Sequence, residues 1–419
     1  MNERATGAVA FVETWLHSVG RDPVRAARAL GFETIFVCRS VEPYVHSDED
    51  QEVFEALFDS IIIADTQEVD DVLRALTPHR RTLRGVFTTN DYNVPVVAEV
   101  AAALGLPGLD PRAARTARNK QLTRAACDAA GVAGPSWTWA RSSEEAVEAA
   151  QRVGFPCVVK PLTDAASIGV ALCRTPEEVE TQYEVITSSD SDFRGGKRLG
   201  GALVEEYLLG YEVSVEAMYV DREFSALGVT DKILGAHPAF AELGFNFPST
   251  LPRNVVDEIT AFARRALDAI GFDFGPAHVE VKVTPDGMRL VEINARVAGD
   301  PLPTVFGTAL GLDLWREVIS LFVGSRSTFK SDAAHQGVAS RFLVSPVAGT
   351  LTGIEGTDLV RRFPGLVDLD IHVEIGQPVQ RPVDNMDLYG GVVIAAKNSA
   401  EAARVAEAAI GQLHLVVDA

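Results

Sequence analysis

The sequence HVEVKVTPDGMRLVEINARVAGD, residues 278–300, alternates apolar and polar side chains on both sides of a central TPDG turn. Alternation with a two-residue period is typical of β-strands that bury one face. The proline and glycine of the turn predict a three-residue loop closed by a glycine bulge, which places Thr284 opposite Met288. In that register Glu280 lies directly opposite Glu292, with their Cβ atoms roughly 5 Å apart.

Two facing carboxylates repel each other unless a cation lies between them or one of them is protonated. Asn294 shares a face with Glu292, whereas Val291 and Ile293 are expected to point the other way. Two glutamates and an asparagine supply oxygen ligands, which suit Mg²⁺ completed by water and phosphate oxygens. Arg296 continues the same alternation and is expected on the side of Glu292 and Asn294, where it could neutralise charge on a phosphoryl group. A solvated edge hairpin with surface charges explains the same stretch equally well.

Composition and charge exclude several classes of protein. The chain has 419 residues, 47% hydrophobic and 23% charged, which is enough for about two to four domains. Its net charge of −20 argues against general binding to nucleic acid or to an anionic membrane. The four cysteines form no CxxC pair, and neither a signal pattern nor a membrane-spanning apolar run is present. We therefore expect a cytoplasmic protein.

Residues 1–115 alternate strand-like and helical patterns, which predicts a doubly wound parallel sheet. The predicted strands are 8–12, 34–38, 61–64 and 85–88, and the predicted helices are 23–30, 69–76 and 94–104. Ligands bind beyond the carboxyl ends of such strands, so Asp91 is a candidate substrate contact, although a polar loop explains it equally well. The first strand is not followed by GxGxxG, which argues against a dinucleotide cofactor.

Residues 116–200 predict a small α+β unit that could move as a lid. Its predicted elements are helices at 119–130 and 176–186 and strands at 155–161 and 170–173. Lys120 lies in the first turn of one helix and Lys160 at the end of a buried strand; each alone would be read as a surface or edge lysine. The loop TDAASIGV, residues 163–170, is small and hydroxyl-bearing, as in loops that cover phosphates with backbone N–H groups.

Residues 201–325 are predicted to form a further domain, and residues 326–419 a smaller α+β cap packed on it. Besides the hairpin, the predicted elements are strands at 202–208, 211–219, 338–344 and 391–396, helices at 253–270 and 399–413, and a helical region at 303–323. Glu205 and Glu212 lie on either side of a glycine turn. Acidic side chains there can bond an adenine amino group and ribose hydroxyls, although an exposed strand edge explains them too.

Together these pieces resemble the ATP-grasp superfamily over nearly the whole chain. Five of them occur in that family's order, namely Lys120, Lys160 in VVKP, the SIGV loop, EEYLLGYE, and the hairpin with Glu280, Glu292, Asn294 and Arg296. The resemblance implies an α/β and α+β multidomain fold: a doubly wound pre-grasp domain, a lid, a nucleotide-binding domain and a C-terminal α+β cap. The segments TDK (230–232) and FAELGFNFP (240–248) resemble carboxylate–amine ligases that join amino acids, such as dipeptide or L-amino-acid ligases.

The resemblance also implies roles for individual residues. Lys120, Lys160, Ser167 and Gly169 would hold or cover the phosphates of ATP, and Glu205, Glu206, Tyr207, Leu208 and Glu212 its adenine and ribose. Two Mg²⁺ ions, with Mn²⁺ as an alternative, would be held by Glu280, Glu292 and Asn294. The catalytic residue would be Arg296, which would stabilise an acyl phosphate. The substrate contacts would be Asp91, Glu242, Phe245, His278, Gly299 and Asp300.

One position departs from the family pattern. Ligases of this kind often carry a histidine after the ELG triplet, where this chain has Phe245. The difference puts the usual substrate pair in doubt and suggests a more apolar pocket. His278 lies beside the face of the hairpin that carries Glu280, Glu292 and Asn294, here called the metal face. It could position a substrate, but a structural hydrogen bond is the simpler interpretation.

The resulting hypothesis is an ATP-dependent ligase that forms an amide bond through an acyl phosphate and releases ADP and phosphate. Its substrates would be a small carboxylate and a small amine, with neither nucleic acid nor membrane as a partner, and a homodimer is expected. Two alternatives stay open. One is a ligase or carboxylase of purine-type or amino-sugar substrates in the same fold, and the other is a nucleotide-binding regulator without turnover.

Overall fold

The N-terminal part of the chain is a parallel sheet with helices on both faces. The computed structural model describes residues 7–14, 18–45, 48–236, 240–325 and 334–418. The first elements are β1 (Ala8–Val12), α1 (Asp22–Ala29), β2 (Glu33–Cys38), α2 (Asp48–Leu57), β3 (Ser60–Ile63), α3 (Val69–Leu76), β4 (Leu83–Phe87) and α4 (Val94–Leu104). The strands pair in parallel in the order β3-β2-β1-β4, which confirms the predicted doubly wound sheet.

The next segment forms a small antiparallel sheet covered by helices. Its elements are α5 (Pro111–Arg118), α6 (Lys120–Ala129), β5 (Trp137–Ala140), α7 (Ser143–Val153), β6 (Cys157–Lys160), β7 (Ala171–Cys173), α8 (Pro176–Thr187) and β8 (Ala202–Glu206). The strand order is β5-β8-β6-β7. β8 pairs with β5 and β6, so the predicted domain boundary between residues 200 and 201 falls inside the chain segment that forms this sheet.

A large antiparallel sheet forms the body of the molecule. The elements that follow in the chain are β9 (Tyr211–Val220), β10 (Glu223–Leu234), β11 (Glu242–Phe247), α9 (Arg253–Ala269), β12 (Gly275–Thr284), β13 (Gly287–Asn294), α10 (Leu302–Leu310) and α11 (Leu314–Phe322). The helical region predicted at 303–323 is two helices, since Gly311 adopts a left-handed conformation with φ 62° and Asp313 caps the second helix.

The C-terminal region is divided between two sheets. Its elements are β14 (Gly337–Phe342), β15 (Gly349–Glu355), α12 (Thr357–Val360), β16 (Leu366–Ile371), β17 (Pro378–Val379), β18 (Gly390–Ala396), α13 (Ser399–Ile410) and β19 (His414–Asp418). Strands β14, β18 and β16 extend the large sheet, in the order β13-β12-β9-β10-β11-β14-β18-β16, whereas β17, β15 and β19 pair separately. The predicted cap is therefore not a wholly separate unit, because three of its strands complete the central sheet.

The large sheet is packed on both faces. On one face, α9 inserts Ile259 and Phe262 against valines of β9 and β12. On the other face, Phe247 packs edge-on against Phe306 of α10, with ring centroids 5.0 Å apart, in a cluster that reaches Phe11 of β1. Burying each large apolar side chain contributes about 1.5–3 kcal/mol. Within the described residues, no helix has the length and apolar character that crossing a membrane requires.

Candidate active site

A cavity of about 870 Å³ lies between the N-terminal sheet, the small sheet and the large sheet. Its wall contains nearly all of the residues predicted for the site. They are Asp91, Lys120, Lys160, Ser167, Glu205, Glu206, Tyr207, Leu208, Glu212, Glu242, Phe245, His278, Glu280, Glu292, Asn294, Arg296, Gly299 and Asp300. The volume lies within the range of small-molecule sites, so the cavity has room for a nucleotide and further ligands.

The hairpin β12–β13 brings its two glutamates together as predicted, but through a different turn. Glu280 and Glu292 are direct cross-strand partners. The turn has two residues rather than three, because Thr284 pairs with Gly287 and not with Met288. A bulge between Glu280 and the next pair restores the predicted register, since β13 has one additional residue there, Val291.

The bulge also changes which residues of β13 face the core. Leu290 and Ile293 are buried, at 0% and 1% exposure, so Leu290 takes the core position predicted for Val291. Val291 is only partly buried, and its carbonyl oxygen accepts a hydrogen bond from Arg124 Nη2 at 2.7 Å. Helix α6 is thereby tied to the glutamate-bearing strand.

Lys232 of β10 lies at the centre of a cluster of carboxylates. Its Nζ is 2.8 Å from Glu212 Oε1, 2.7 Å from Glu242 Oε1 and 2.8 Å from Glu280 Oε1. Burial alone would lower its pKa, but the three carboxylates raise the pKa of Lys232 well above its ordinary value. The lysine is therefore a fixed cation that separates three acidic side chains from three different strands.

His278 supports Glu280 from the core side. Its Nδ1 is 3.0 Å from both carboxylate oxygens of Glu216, and its Nε2 is 3.2 Å from Glu280 Oε1. Burial opposes protonation, but Glu216 and Glu280 outweigh it and raise the pKa of His278 to about 10. Both ring nitrogens then carry protons and donate to carboxylates. Ser214 Oγ donates to Glu216 Oε1 at 2.6 Å and completes the support.

Two further lysines, Lys120 and Lys160, line the same cavity. Lys120 Nζ is 2.9 Å from Glu292 Oε1 and donates to the Asp164 carbonyl oxygen at 2.7 Å. Lys160 Nζ is 2.6 Å from Glu205 Oε2, and burial lowers the pKa of Lys160. Both lysine side chains are 7% exposed, so they are held at the wall rather than extended into solvent.

Glu205 is a buried counter-ion rather than an exposed acceptor. Arg124 Nε donates to its Oε1 at 2.7 Å and Arg124 Nη2 to its Oε2 at 3.2 Å, in addition to the contact from Lys160. Burial raises the pKa of the carboxyl group, but the two cations outweigh it and hold the pKa of Glu205 at about 2. In the structure both carboxylate oxygens of Glu205 already contact these cations, and the predicted contact between Glu205 and adenine stays a prediction. Two cations on one carboxylate leave a net positive charge, which favours phosphate nearby.

Arg296 follows the metal face of the hairpin and is held by the N-terminal domain. Its Nε donates to Asp91 Oδ2 at 2.6 Å, Nη2 lies 2.6 Å from the same oxygen, and Nη1 donates to the Val297 carbonyl oxygen at 2.9 Å. Asp91 follows β4, so the prediction that this loop reaches the site is supported by its position on the cavity wall. In this structure Asp91 acts by fixing the guanidinium of Arg296.

The loop 163–170 borders the cavity through residues 164–168 and through Val170. Ala166 and Ser167 adopt left-handed conformations, with φ of 56° and 60°, and Ser167 Oγ donates to the Phe240 carbonyl oxygen at 3.3 Å. Gly169 is not part of the described cavity wall. A Cβ at Gly169 would lie 3.3 Å from Pro161 Cδ and 3.6 Å from an Ile186 side-chain carbon, so this glycine faces the interior of the small unit.

The residues predicted to contact the substrate differ in burial and in the bonds that already hold them. Glu242 borders the cavity and is held by Lys232 and by Asn385 of the C-terminal region. Phe245 is 1% exposed and packs edge-on against Phe342 at 5.9 Å, so its ring is a buried floor of the cavity. Gly299 and Asp300 lie on the wall in the turn before α10. The more apolar substrate pocket expected from Phe245 stays a prediction, because the ring itself is almost completely buried.

Sequence reasoning missed four residues that shape the site: Arg124, Glu216, Lys232 and Asn385. A signal existed for Arg124, because it follows Lys120 by four residues and so lies on the same face of α6. Lys232 lies in the TDK segment, which was noticed without a role. Glu216 and Asn385 carry no local signal, because their partners are 62 and 143 residues away in the chain.

The hairpin glutamates fit a magnesium ion that also binds phosphate. Within the described residues, no group of three or more His, Cys, Asp and Glu could by itself hold a metal ion. Glu280 and Glu292, with the amide of Asn294, are hard oxygen donors on the cavity wall. Mg²⁺ is usually bound through one or two carboxylates together with substrate phosphates and water, so an incomplete protein cage of this kind suits it.

Comparison with protein families gives three matches along the chain. A model of the ATP-grasp N-terminal domain matches residues 24–108, one of the ATP-grasp domain matches residues 153–304, and one of the L-amino acid ligase C-terminal domain 2 matches residues 341–418. The second match contains the hairpin, Lys160 and Lys232.

Curated relatives are distant in sequence. The chain is 27% identical over 393 residues to uncharacterized protein y4rH of Sinorhizobium fredii, covering 93% of this chain and 79% of the relative. It is 24% identical to dapdiamide A synthase of Enterobacter agglomerans, covering 93% and 92%. It is 25% identical to alanine–anticapsin ligase of Bacillus amyloliquefaciens, covering 65% of this chain and only 57% of that relative.

A solved structure has the same fold. The L-amino acid ligase from Bacillus licheniformis superposes with a TM-score of 0.83, covering 100% of both chains at 18% sequence identity. At that identity the likeness concerns the fold alone.

Proposed function

The chain belongs to the ATP-grasp superfamily, and from this premise we propose that it is an ATP-dependent ligase that joins amino acids, or an amino acid and a related acid, through an amide bond. The observation that carries the proposal is the pair Glu280 and Glu292, facing each other on the wall of a cavity that also presents Lys120, Lys160 and Arg296. Anion-binding cations and metal-binding carboxylates on one wall suit a nucleoside triphosphate.

We assign the nucleotide to the space between the small sheet and the large sheet. Lys120 and Lys160 would contact its phosphates, and the loop around Ser167 would cover them. The backbone of Glu206 and Leu208, with the ring of Tyr207, would contact adenine, and Glu212 the ribose. Glu205 would act indirectly, by holding Lys160 and Arg124 in place.

Glu280, Glu292 and Asn294 would hold two Mg²⁺ ions, and Mn²⁺ accepts the same oxygen ligands. The ion supplies charge neutralisation on the phosphates and on the oxygen that leaves as ADP. His278 and Lys232 both contact Oε1 of Glu280. They would keep these contacts when a nucleotide is bound, because the other carboxylate oxygen stays available to the metal ion.

The first chemical step forms an acyl phosphate. An oxygen of the substrate carboxylate attacks the γ-phosphorus of ATP, and the bond to the bridging oxygen breaks, so that ADP leaves. Arg296, fixed by Asp91, would bind oxygens of the transferring group and spread their charge. The covering loop would exclude water, which would otherwise hydrolyse the acyl phosphate.

The second step forms the amide. The amine nitrogen of the other substrate attacks the acyl carbon. The tetrahedral species then collapses, the bond from the acyl carbon to the phosphate oxygen breaks, and the departing phosphate takes up the proton that the nitrogen loses. Arg296 would stabilise the oxyanion of that species, so one residue serves both steps. No covalent bond to the protein is needed.

The test measures ADP release over a matrix of amino-acid pairs and other carboxylates with amines, with the product identified by mass spectrometry. An amide product with one ADP per bond supports the proposal. A product of purine-type or amino-sugar mass would favour the first alternative. Binding of Mg-ATP without ADP release for any pair would favour a regulatory role. The names of the relatives, a dapdiamide synthase and an alanine–anticapsin ligase, support amino-acid substrates.

Two further expectations remain proposals. We infer a reducing compartment, the cytoplasm, because the four cysteines are buried and unpaired. The expected homodimer is tested by light scattering of the purified protein, where a mass of twice 45.0 kDa supports it.

A further inference from the structure

Asn385, in the C-terminal 3₁₀ turn Asn385–Asp387, joins two segments of the active site. Its Oδ1 accepts a hydrogen bond from the Glu242 N–H at 2.9 Å, and its Nδ2 donates to Glu242 Oε2 at 3.0 Å. Its own backbone N–H donates to the Ala166 carbonyl oxygen at 3.2 Å. One residue therefore contacts both β11 and the loop 163–170.

On the side of β11, the contact continues to the metal face. The other oxygen of Glu242, Oε1, is 2.7 Å from Lys232 Nζ, and Lys232 is 2.8 Å from Glu280 Oε1. With both a backbone and a side-chain bond to Asn385, the Glu242 carboxylate has a fixed orientation, which in turn fixes Lys232. Partners of this kind, one or two contacts behind a metal ligand, set the ligand's direction and charge.

On the side of the loop, the contact restrains an unfavourable conformation. Ala166 and Ser167 are both left-handed, at φ 56° and 60°, a conformation that is unfavourable for a residue with a side chain. Such a conformation persists only when neighbouring contacts hold it. The N–H of Asn385 and the bond from Ser167 Oγ to the Phe240 carbonyl oxygen are two such contacts.

We propose that Asn385 is a positioning residue of the nucleotide site. It sets Glu242, and through Glu242 it sets Lys232 and Glu280, while it also holds the loop 163–170 beside the cavity. The C-terminal region thereby takes part in binding the magnesium–nucleotide complex, although it lies outside the chain segment that carries the glutamates and lysines. The proposal rests on the proposed function for the identity of that ligand.

Two substitutions separate the two contacts. Asn385→Ala removes both bonds to Glu242 and keeps the N–H. Asn385→Pro also removes the N–H that bonds Ala166. Proline suits this place, since Asn385 is the first residue of the turn and Asp384 before it is extended, with φ −146° and ψ −171°.

The readouts are the affinity for ADP by calorimetry, with and without Mg²⁺, and hydrogen exchange of residues 163–170. Asn385→Ala should weaken Mg-ADP binding about tenfold, the lower end of the effect of such supporting residues, and leave metal-free ADP binding nearly unchanged. Asn385→Pro should show the same loss and, in addition, faster exchange in the loop. Unchanged Mg-ADP affinity in both variants would overturn the proposal.

A double variant tests the route through Glu242. If Asn385 acts through that carboxylate, Glu242→Ala with Asn385→Ala should bind Mg-ADP as weakly as Glu242→Ala alone, whereas additive losses would refute the route. Val383→Ala, at a 57% exposed neighbour, is the control and should match the wild type. Should Asn385→Ala unfold, Asn385→Asp keeps the acceptor for the Glu242 N–H but replaces the donor by a carboxylate oxygen that repels Glu242, and it should show at least the same Mg-dependent loss.

These measurements do not need turnover. If the Asn385 variants lose Mg-ADP affinity but the wild type forms no amide, the positioning role of Asn385 is supported and the proposed ligase activity is refuted. If the wild type forms an amide but the Asn385 variants keep the wild-type affinity for Mg-ADP, the ligase activity is supported and the positioning role of Asn385 is refuted.

Discussion

Glu280 and Glu292 are direct partners across β12 and β13, yet their carboxylates contact lysines from two different parts of the chain. Lys232 of β10 neutralises Glu280, and Lys120 of α6 neutralises Glu292. The charge repulsion expected between facing carboxylates is thus relieved in the protein itself. When a metal ion and its phosphates bind, we expect Lys120 to move from Glu292 to the phosphates, while Lys232 keeps its contact with Glu280.

Glu292→Gln should abolish turnover and leave the fold nearly intact. Glutamine keeps the size of the side chain but removes the charge that a metal ion requires, and the side chain is 23% exposed, so little stability depends on it. The measurement is ADP release together with thermal unfolding. Glu223→Gln, an exposed glutamate at the start of β10, is the matched control and should keep full activity. Retained activity in Glu292→Gln would show that this carboxylate is not a metal ligand.

Glu205→Ala should destabilise the protein strongly, because it leaves Arg124 and Lys160 buried without their counter-ion. Removing one partner of a buried ion pair costs about 3–5 kcal/mol. The measurement is the free energy of unfolding in urea. The neighbour Glu206 is exposed, so Glu206→Ala should change the stability by less than about 0.5 kcal/mol. Equal stability of the two variants would contradict the buried counter-ion role.

Glu205 should also contribute to the loss of stability at acid pH. The pKa of Glu205 falls from 4.5 to about 2 on folding, so its contribution is present above pH 4.5 and is lost as the pH falls towards 2. The size of that contribution is on the order of 3 kcal/mol. Urea unfolding at pH 5 and pH 3 should therefore show a smaller acid-induced loss in Glu205→Gln than in the wild type. An unchanged loss would place the acid-sensitive group elsewhere.

The hairpin shows why part of the site could be predicted from the sequence. The two-residue period and the turn residues are local, so they place Glu280 and Glu292 on one face without knowledge of the rest of the chain. The bulge at Val291 is different, because the hydrogen bond from Arg124 that accompanies it comes from a helix 167 residues away. The predicted turn was thus one residue too long. The bulge, which was not predicted, adds one residue to β13 and so restores the predicted pairing of Glu280 with Glu292.

Lys232 shows why the rest could not be predicted. Its three carboxylate partners lie on β9, β11 and β12, and only the strand order of the folded sheet brings them to one atom. The buried role of Glu205 is hidden in the same way, since the EEY sequence offers two glutamates and only packing decides which one faces Arg124. The membership of β14, β16 and β18 in the central sheet likewise depends on long-range pairing.

Arg296→Lys should lower turnover about 10²–10³-fold while ADP binding stays close to normal, because lysine keeps the charge but not the planar fork that can bind several oxygens at once. Asp91 fixes that fork in the structure, so Asp91→Asn should show a smaller loss of the same kind. The measurement is kcat with saturating ATP, and Arg289→Lys on the preceding strand β13 is the control. Proportional losses in ADP affinity would instead make Arg296 a simple binding residue.

Phe245→His would restore the histidine that related ligases often carry, and we expect it to destabilise the protein rather than to alter its substrates. Phe245 is 1% exposed and packs edge-on against Phe342, so an imidazole there loses apolar contacts and buries a polar group. Large core substitutions of this kind cost about 3 kcal/mol or more, whereas the control Phe245→Leu, which keeps an apolar side chain, should cost less than that. The measurement is urea unfolding, together with the range of accepted amino acids. A stable Phe245→His variant with a changed substrate range would show that the ring faces the substrate and is not the buried floor of the cavity.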